Sequence, residues 1–288
     1  MNYRTLTLSF SLLLLLWAGA LVGKQDVNEI HRSQAVRNEK SLDISVEYGL
    51  GDFMLKPGAV KNAYTVDIRY DNDRLNPQVD YGIREGVGYL EIRSDDSEEE
   101  HTIDWKKDME STCTLTYNPN LPTEIDLDIG LGKGIMEFGG TRLTGLEVSN
   151  GLSETELNFN RPNKTELQHM EFETGLGKFR AKNLSNARFH ELSLEVGLGS
   201  ALLDFHGNGL ERCTANISVG LGSGTLLIPE NLGARVNVED SFLSRVSFYS
   251  DFRKHNGSYY ASDWNDTKKR IVIDLEIGLG SASIERIQ

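Results

Sequence analysis

The chain has 288 residues, 30 Lys+Arg against 43 Asp+Glu, a formal charge of −13 and a pI near 5.0. This acidity argues against an extended phosphate-binding surface, because nucleic acid needs a basic face. With 39 % hydrophobic and 25 % charged residues the chain is too apolar for disorder, and its 2 cysteines cannot build a disulfide-dense scaffold or a four-Cys zinc site.

In chain order, a short basic start over residues 1–4 leads into an apolar stretch containing the run Leu12–Leu16, and Ala18-Gly19-Ala20 offers small residues for cleavage. This layout predicts a secretory signal peptide over 1–20. The alternative is an uncleaved anchor spanning Leu6 to Val22, which would be the chain's one route to a membrane. Residues 21–40 are polar and weakly patterned and read as a linker. Export would permit a disulfide between Cys113 and Cys213, which nothing in the sequence shows to meet. Sequons at Asn163, Asn183, Asn216, Asn256 and Asn265 would matter only in a eukaryotic secretory pathway.

Residues 41–120 read as an N-terminal β-region. Ile44, Val46 and Gly49-Leu50-Gly51 open it, and the stretches Tyr64–Tyr70 and Val87–Arg93 alternate as strands do. Ser94 to Asp108 is acidic and reads mostly as loop, with Trp105 inside it. The region is expected to cap the first coil of the repeats beyond it, since an end coil otherwise shows open strand edges.

Residues 121–288 are governed by repetition. Gly-Leu-Gly starts at Gly49, Gly130, Gly175, Gly197, Gly220 and Gly278, with Gly-Leu-Ser at Gly151. From Gly130 the steps are 21, 24, 22 and 23 residues. A degenerate copy falls near Ser241-Phe242, and the step to Gly278 carries an insertion. Apolar residues stand five and three before the first glycine (Ile125 and Leu127, Leu146 and Val148, Leu192 and Leu194). A second pair stands six and eight after it (Met136 and Phe138, Leu203 and Phe205). Period two is the strand period, and glycine between two strands permits a tight corner. One such unit cannot bury its apolar side alone, whereas stacked units can. The prediction is all-β: a single-chain β-solenoid of short coils with an N-terminal β-rich capping region. An antiparallel sandwich is the alternative.

The order of these motifs resembles the bacterial toast-rack family and its LiaF-like and adhesin-like β-solenoid domains. The matching stretches are Leu42–Leu55, Asn76-Pro77-Gln78-Val79, Gly88-Tyr89-Leu90-Glu91-Ile92, Leu121–Phe138 and the coils beyond, and Tyr260 to Ile284 resembles the closing part of such domains. The resemblance implies a right-handed solenoid exposed at the cell envelope, and it brings no catalytic residue to transfer. Some relatives join envelope-stress sensing through a membrane module, which this sequence does not display.

Outward positions of the repeat are acidic. In-register stacking predicts one column of Asp126, Glu147 and Glu171, and a second carrying Asp128, with Glu173 beside Glu195. Like charges about 5 Å apart in water repel by under about 1 kcal/mol, so a solvated polar face is the plain reading. Weak Ca²⁺ binding, or a basic partner, is the sharper one. No cofactor, catalytic residue or firm metal site is expected. His190 and Cys213 both stand seven before their glycine, which makes a Cys–His dyad conceivable. Tyr259, Tyr260, Asp263 and Trp264 read as a loop pinned to the scaffold, or as an aromatic surface for sugar or protein. The functional expectation is a non-enzymatic exported envelope protein, periplasmic or at the cell surface, serving as an adhesin-like or stress-associated scaffold. Its partner would be an envelope protein or glycan and not nucleic acid, with self-association through the solenoid ends open. The alternative is a carbohydrate-active β-helix enzyme.

Overall fold

The computed structural model describes residues 27–58, 60–71, 75–96, 111–240, 243–249 and 251–288. The expected signal peptide over 1–20 lies outside these residues, as does most of the acidic loop with Trp105.

Seven long strands form the body: β2 (Ser41–Pro57), β7 (Pro122–Glu137), β8 (Arg142–Asn158), β9 (Leu167–Lys182), β10 (Phe189–Asp204), β11 (Arg212–Pro229) and β16 (Arg270–Ile287). They stack in parallel in the order β2-β7-β8-β9-β10-β11-β16. Each is one coil, bent at its glycine corner into a first and a second arm. Equivalent positions pair throughout, as Ile125 with Leu146, Leu146 with Met170, and Met170 with Leu192. The expected β-solenoid is therefore the fold.

The corner explains the repeat's spacing. On the first arm of β7, Ile125, Leu127 and Ile129 point inward while Asp126 and Asp128 point out. On the second arm the inward positions are 134 and 136. From 129 to 134 is an odd count, so the bend inverts the alternation. The second glycine of the corner makes this possible: Gly132, Gly177, Gly199, Gly222 and Gly280 have φ between 137° and 147°, a region closed to other residues. The same glycine lets coils approach, because a Cβ on Gly199 would fall inside the carbonyl oxygen of Gly177 one coil below.

The core is one continuous cluster along the stack. Phe138 and Phe159, equivalent residues of successive coils, stack with ring centres 5.2 Å apart. Side-chain volume is shared within a coil. Most second arms place a small residue before a large one, as Gly134/Met136, Ala201/Leu203 and Gly224/Leu226 do, whereas β9 reverses the sizes with Phe179/Ala181. Phe179 then packs on Phe172 of its own first arm, 4.9 Å away, which keeps the cross-section filled. At the turns, the buried Asn163 donates from Nδ2 to the Leu143 carbonyl (2.8 Å) and accepts the Leu143 N–H (2.9 Å). Its sequon therefore lies inside the fold and not on the surface.

Each end of the stack is closed by a coil made of two separate strands. At the N-terminal end, β5 (Val87–Asp96) pairs with the first arm of β2 and β6 (Thr112–Tyr117) with the second. At the C-terminal end, β12 (Gly233–Asp240) and β13 (Ser244–Phe248) do the same to β16. Antiparallel strands then flank the split coils: β4 (Leu75–Arg84) on β5, β3 (Asn62–Asp71) on β6, β1 (Val27–Ala35) on β3, and β15 (Ser258–Tyr260) with β14 (Arg253–His255) on β12.

Three expectations need correction. First, the coils do not stack in strict chain order. The degenerate copy, β12 with β13, is outermost, and the chain returns through the β14–β15 hairpin so that β16 slots between β11 and β12. β16 carries the full glycine frame and two apolar arms, so it suits a position paired on both sides. The degenerate copy needs only one partner. Second, residues 27–35, read as part of a linker, form β1; antiparallel backbone bonds to β3 hold it, and these need little from its side chains. Third, β2 is a full coil in register with β7, so the solenoid begins at 41 and not at 121. The expected cap is β5 and β6 with the strands beside them.

Candidate binding face

The first arms present a flat outward ladder. Asp126, Glu147 and Glu171 are cross-strand neighbours in register, all exposed. In the second column Glu47 lies beside Asp128, Ser149 separates Asp128 from Glu173, and Glu173 lies beside Glu195. Asp43 continues the face toward the N-terminal end, where burial and the neighbouring Asp126 charge raise its carboxyl above the ordinary value. His169 Nε2 approaches Glu147 at 3.7 Å, which sets an imidazole among the carboxylates. Further along, a shallow groove of about 590 Å³ is lined by Glu195, Asn216, Asn237, Glu239, Asp274 and Glu276. Asn237 donates to Asp274 Oδ1 (2.6 Å) and Asn216 to Glu191 Oε1 (3.3 Å), so part of its polar capacity is engaged. Among the described residues no three His, Cys, Asp or Glu side chains gather in a metal-holding arrangement.

The conceivable dyad is not assembled. Cys213 is buried, its thiol facing the Arg270 carbonyl at 3.8 Å, whereas His190 is on the surface against Glu166 at 3.2 Å. The spacing to the glycine is equal, yet the two side chains point to opposite faces. Burial pushes the Cys213 thiol up to about 12, which removes the thiolate a nucleophile needs. Cys113 is likewise free and buried, its thiol pushed up to about 12 by burial and by the Asp67 charge. Six strand steps separate β6 from β11, about 29 Å at about 4.8 Å each, so the two cysteines cannot bridge.

The aromatic insertion is pinned. Trp264 takes Arg270 on its face at 5.1 Å and the edge of Tyr260 at 5.8 Å, and Tyr259 stacks on Phe248 at 3.9 Å. Arg286, only 3 % exposed, fastens the region from beneath: it donates to the carbonyls of Leu232 (2.8 Å) and Glu230 (3.0 Å) and pairs with Asp263 at 3.0 Å.

One surface feature was not foreseen from the motifs. The leucine at the centre of each Gly-Leu-Gly corner points outward. Leu50, Leu131, Leu152, Leu176, Leu198, Leu221 and Leu279 pair in register along the whole stack. The last five keep 43–47 % of their surface exposed, and a depression of about 330 Å³ opens among Leu131, Leu152 and Leu176. The odd residue count across the corner was the available signal, since it inverts the alternation on either side of the leucine.

A bent-strand solenoid with a repeated glycine corner and split end coils defines the class of protein. The chain belongs to the Toast_rack_N family, the N-terminal domain of toast_rack (DUF2154), whose model matches residues 22–182. No curated protein matches the sequence. Among solved structures, it is similar to a putative cell adhesion protein from Clostridium sporogenes at 18 % identity and TM-score 0.47, over 91 % of this chain and 100 % of that one. It is also similar to a putative adhesin from Bacteroides fragilis at 13 % identity and TM-score 0.39, over 90 % and 97 % of the two chains. A putative adhesin from Parabacteroides distasonis matches at 13 % identity and TM-score 0.35, over 91 % and 98 %.

Proposed function

We propose that this chain is a non-catalytic, exported envelope scaffold, adhesin-like in use, whose acidic first-arm face takes a basic region of another envelope component. The observation that supports this most is the ladder itself. Asp126, Glu147, Glu171, Glu173 and Glu195 stand exposed on one flat surface fixed by parallel strands. A regular array of like charge attracts an extended partner of opposite charge and steers its approach, and its rigidity lowers the entropy cost of capture. Any calcium on these columns would be a weakly held bridge, not a resident cofactor. A glycan-cleaving enzyme would need paired groups flanking one bond, and the columns repeat instead of converging.

Capture from intact envelopes tests the reading, using the chain and a Glu147→Lys/Glu171→Lys variant at low and at raised salt. Retention of one envelope component by the parent, lost with the variant and weakened by salt, supports it. Equal retention by both would sink the acidic-face reading. Depolymerisation of an envelope glycan by the parent would replace the scaffold with an enzyme.

A further inference from the structure

We propose that the leucine ridge along the glycine corners is a self-association surface, on which a second copy of this chain docks with its solenoid axis parallel to the first. The inference is independent of the envelope role above. An in-register row of apolar knobs, one per coil, runs through six coil steps, or about 29 Å. Contiguous exposed apolar surface of this kind marks an interaction site more often than ordinary surface. The charges beside it select the occupant. On the first-arm side, two residues before the corner, stand Asp128 and Glu173. On the second-arm side, three residues after its first glycine, stand Asp52, Lys133, Glu154 and Lys178, the last three exposed, with Glu154 already bonded to Arg180 of its own chain.

Two ridges facing each other can be related in two ways. A two-fold axis parallel to the stack sets the first-arm side of one copy against the second-arm side of the other, coil by coil. Asp128 then meets Lys133 of the second copy and Glu173 meets Lys178, two opposite-charge coils against one like-charge coil, β2, where Glu47 meets Asp52. A two-fold axis across the stack sets first arm against first arm, so that β9 brings Glu173 to Glu173 and Lys178 to Lys178. Electrostatic complementarity favours the parallel arrangement. An anionic lipid surface is a poor occupant beside Asp128, Glu173, Glu195 and Glu276 on a chain of charge −13.

The strip between the flanking columns holds four residues per coil, and its five spacings come to at most about 16 Å at about 3.3 Å each, since the corner bends within it. With the ridge length it offers roughly 460 Å² per copy, against the roughly 800 Å² of a standard interface. The association is therefore transient, and in the cell it would depend on local crowding of copies at one surface.

Sedimentation of the chain over a concentration series at low ionic strength tests the proposal. A monomer–dimer equilibrium is expected. Leu152→Ser/Leu176→Ser should weaken it at least tenfold while the melting profile stays unchanged, since both side chains are already exposed. Lys178→Glu should weaken it as well, and Glu173→Lys added to it should restore it. Leu152→Cys should form an interchain disulfide on mild oxidation, because a parallel pair sets residue 152 against itself, whereas a crosswise pair sets it against Leu198. The two native cysteines are buried and do not compete. A strictly monomeric chain at millimolar concentration would overturn the proposal. So would dimers insensitive to the leucine changes, a crosswise cross-linking pattern, or leucine-dependent flotation with neutral phosphatidylcholine vesicles by a chain that stays monomeric in solution.

Discussion

In the middle of the stack each coil has a full neighbour on both sides; at the two ends a full coil meets a split one. Around β9, inward positions stand in register with their equivalents above and below, and the corners are roofed in turn, Ser153 O by Gly177 and Gly177 O by Gly199. At the N-terminal end the corner of β2 meets β5 and β6 instead: Ser94 Oγ accepts the Gly49 N–H (2.8 Å), and the Ser111 carbonyl accepts the Asp52 N–H (2.9 Å). At the C-terminal end, Arg286 draws the turn after β11 and the aromatic insertion together. The middle is held by repeated apolar contact, which is cooperative along the axis. The ends also bury apolar side chains in that core, Leu90, Ile92 and Leu115 at one and Ala234 and Val236 at the other, but they cover it on one side alone and add polar fastenings with no repeat behind them. Damage in the middle should therefore be global, and damage at an end should be local.

The largest effect is expected at the middle corner. Gly199→Val places a side chain against the Gly177 backbone at φ near 147°. A loss above about 3 kcal/mol, or failure to fold, should appear in chemical denaturation. Phe179→Ala comes next, with about 3–5 kcal/mol lost to the cavity. Adding Ala181→Leu copies the Ala201/Leu203 order of the next coil and should recover part of that loss; no recovery would refute the exchange of volume between these positions.

Smaller and local effects belong to the ends. Arg286→Met leaves Asp263 without its cation. Breaking a partly buried pair costs about 3–5 kcal/mol where the site is fully sealed, and less here because Asp263 is 23 % exposed. Hydrogen exchange should quicken over 230–267 and stay slow in β8 to β10. If β8 to β10 open equally, the division between ends and middle is wrong.

At the other end, Glu39 is 6 % exposed and accepts the Tyr81 hydroxyl at 2.6 Å. Burial pushes its carboxyl up, but bonds from Tyr81 and from backbone N–H groups outweigh this, and the net shift is downward. Its contribution is therefore present above the ordinary carboxyl value near 4.5 and is lost as pH falls through the lowered one. Glu39→Gln should cost about 1.5–3 kcal/mol at neutral pH and flatten the acid limb of a stability profile.

The smallest effect is at His206, which contacts Asp204 at 2.7 Å and the backbone oxygen of Gln288 at 3.1 Å. Burial acts to lower its value, but these two contacts win and raise it. Its contribution is full below about 6.5 and disappears as pH rises through the raised value. The protection factors of the C-terminal residues, with the base-catalysed rise of intrinsic exchange divided out, should fall on going from pH 6 to pH 8, and His206→Gln should remove that fall.

These contrasts also explain what the sequence could reveal. The coils were legible because each repeats one alternation about one glycine, and the carboxylate columns arose from that register alone. Strand order at the C-terminal end was not. The 37-residue step before Gly278 signalled an insertion, but nothing local says that β16 passes beneath β12. β1 was hidden for another reason: Val27 and Ile30 are its only large apolar residues, and backbone pairing at an edge leaves little trace in composition. The outward leucines were missed because Gly-Leu-Gly reads as a corner, and a corner draws the eye to its glycines.

One consequence of the split end coils concerns growth. Because each roof recognises only the single storey beneath it, the number of storeys between β2 and β16 is free. Duplicating a segment such as residues 189–211 should lengthen the molecule by about 4.8 Å and leave both roofs seated as before. Height becomes an adjustable dimension, settled by how many times one short phrase is copied, while the two endings stay fixed.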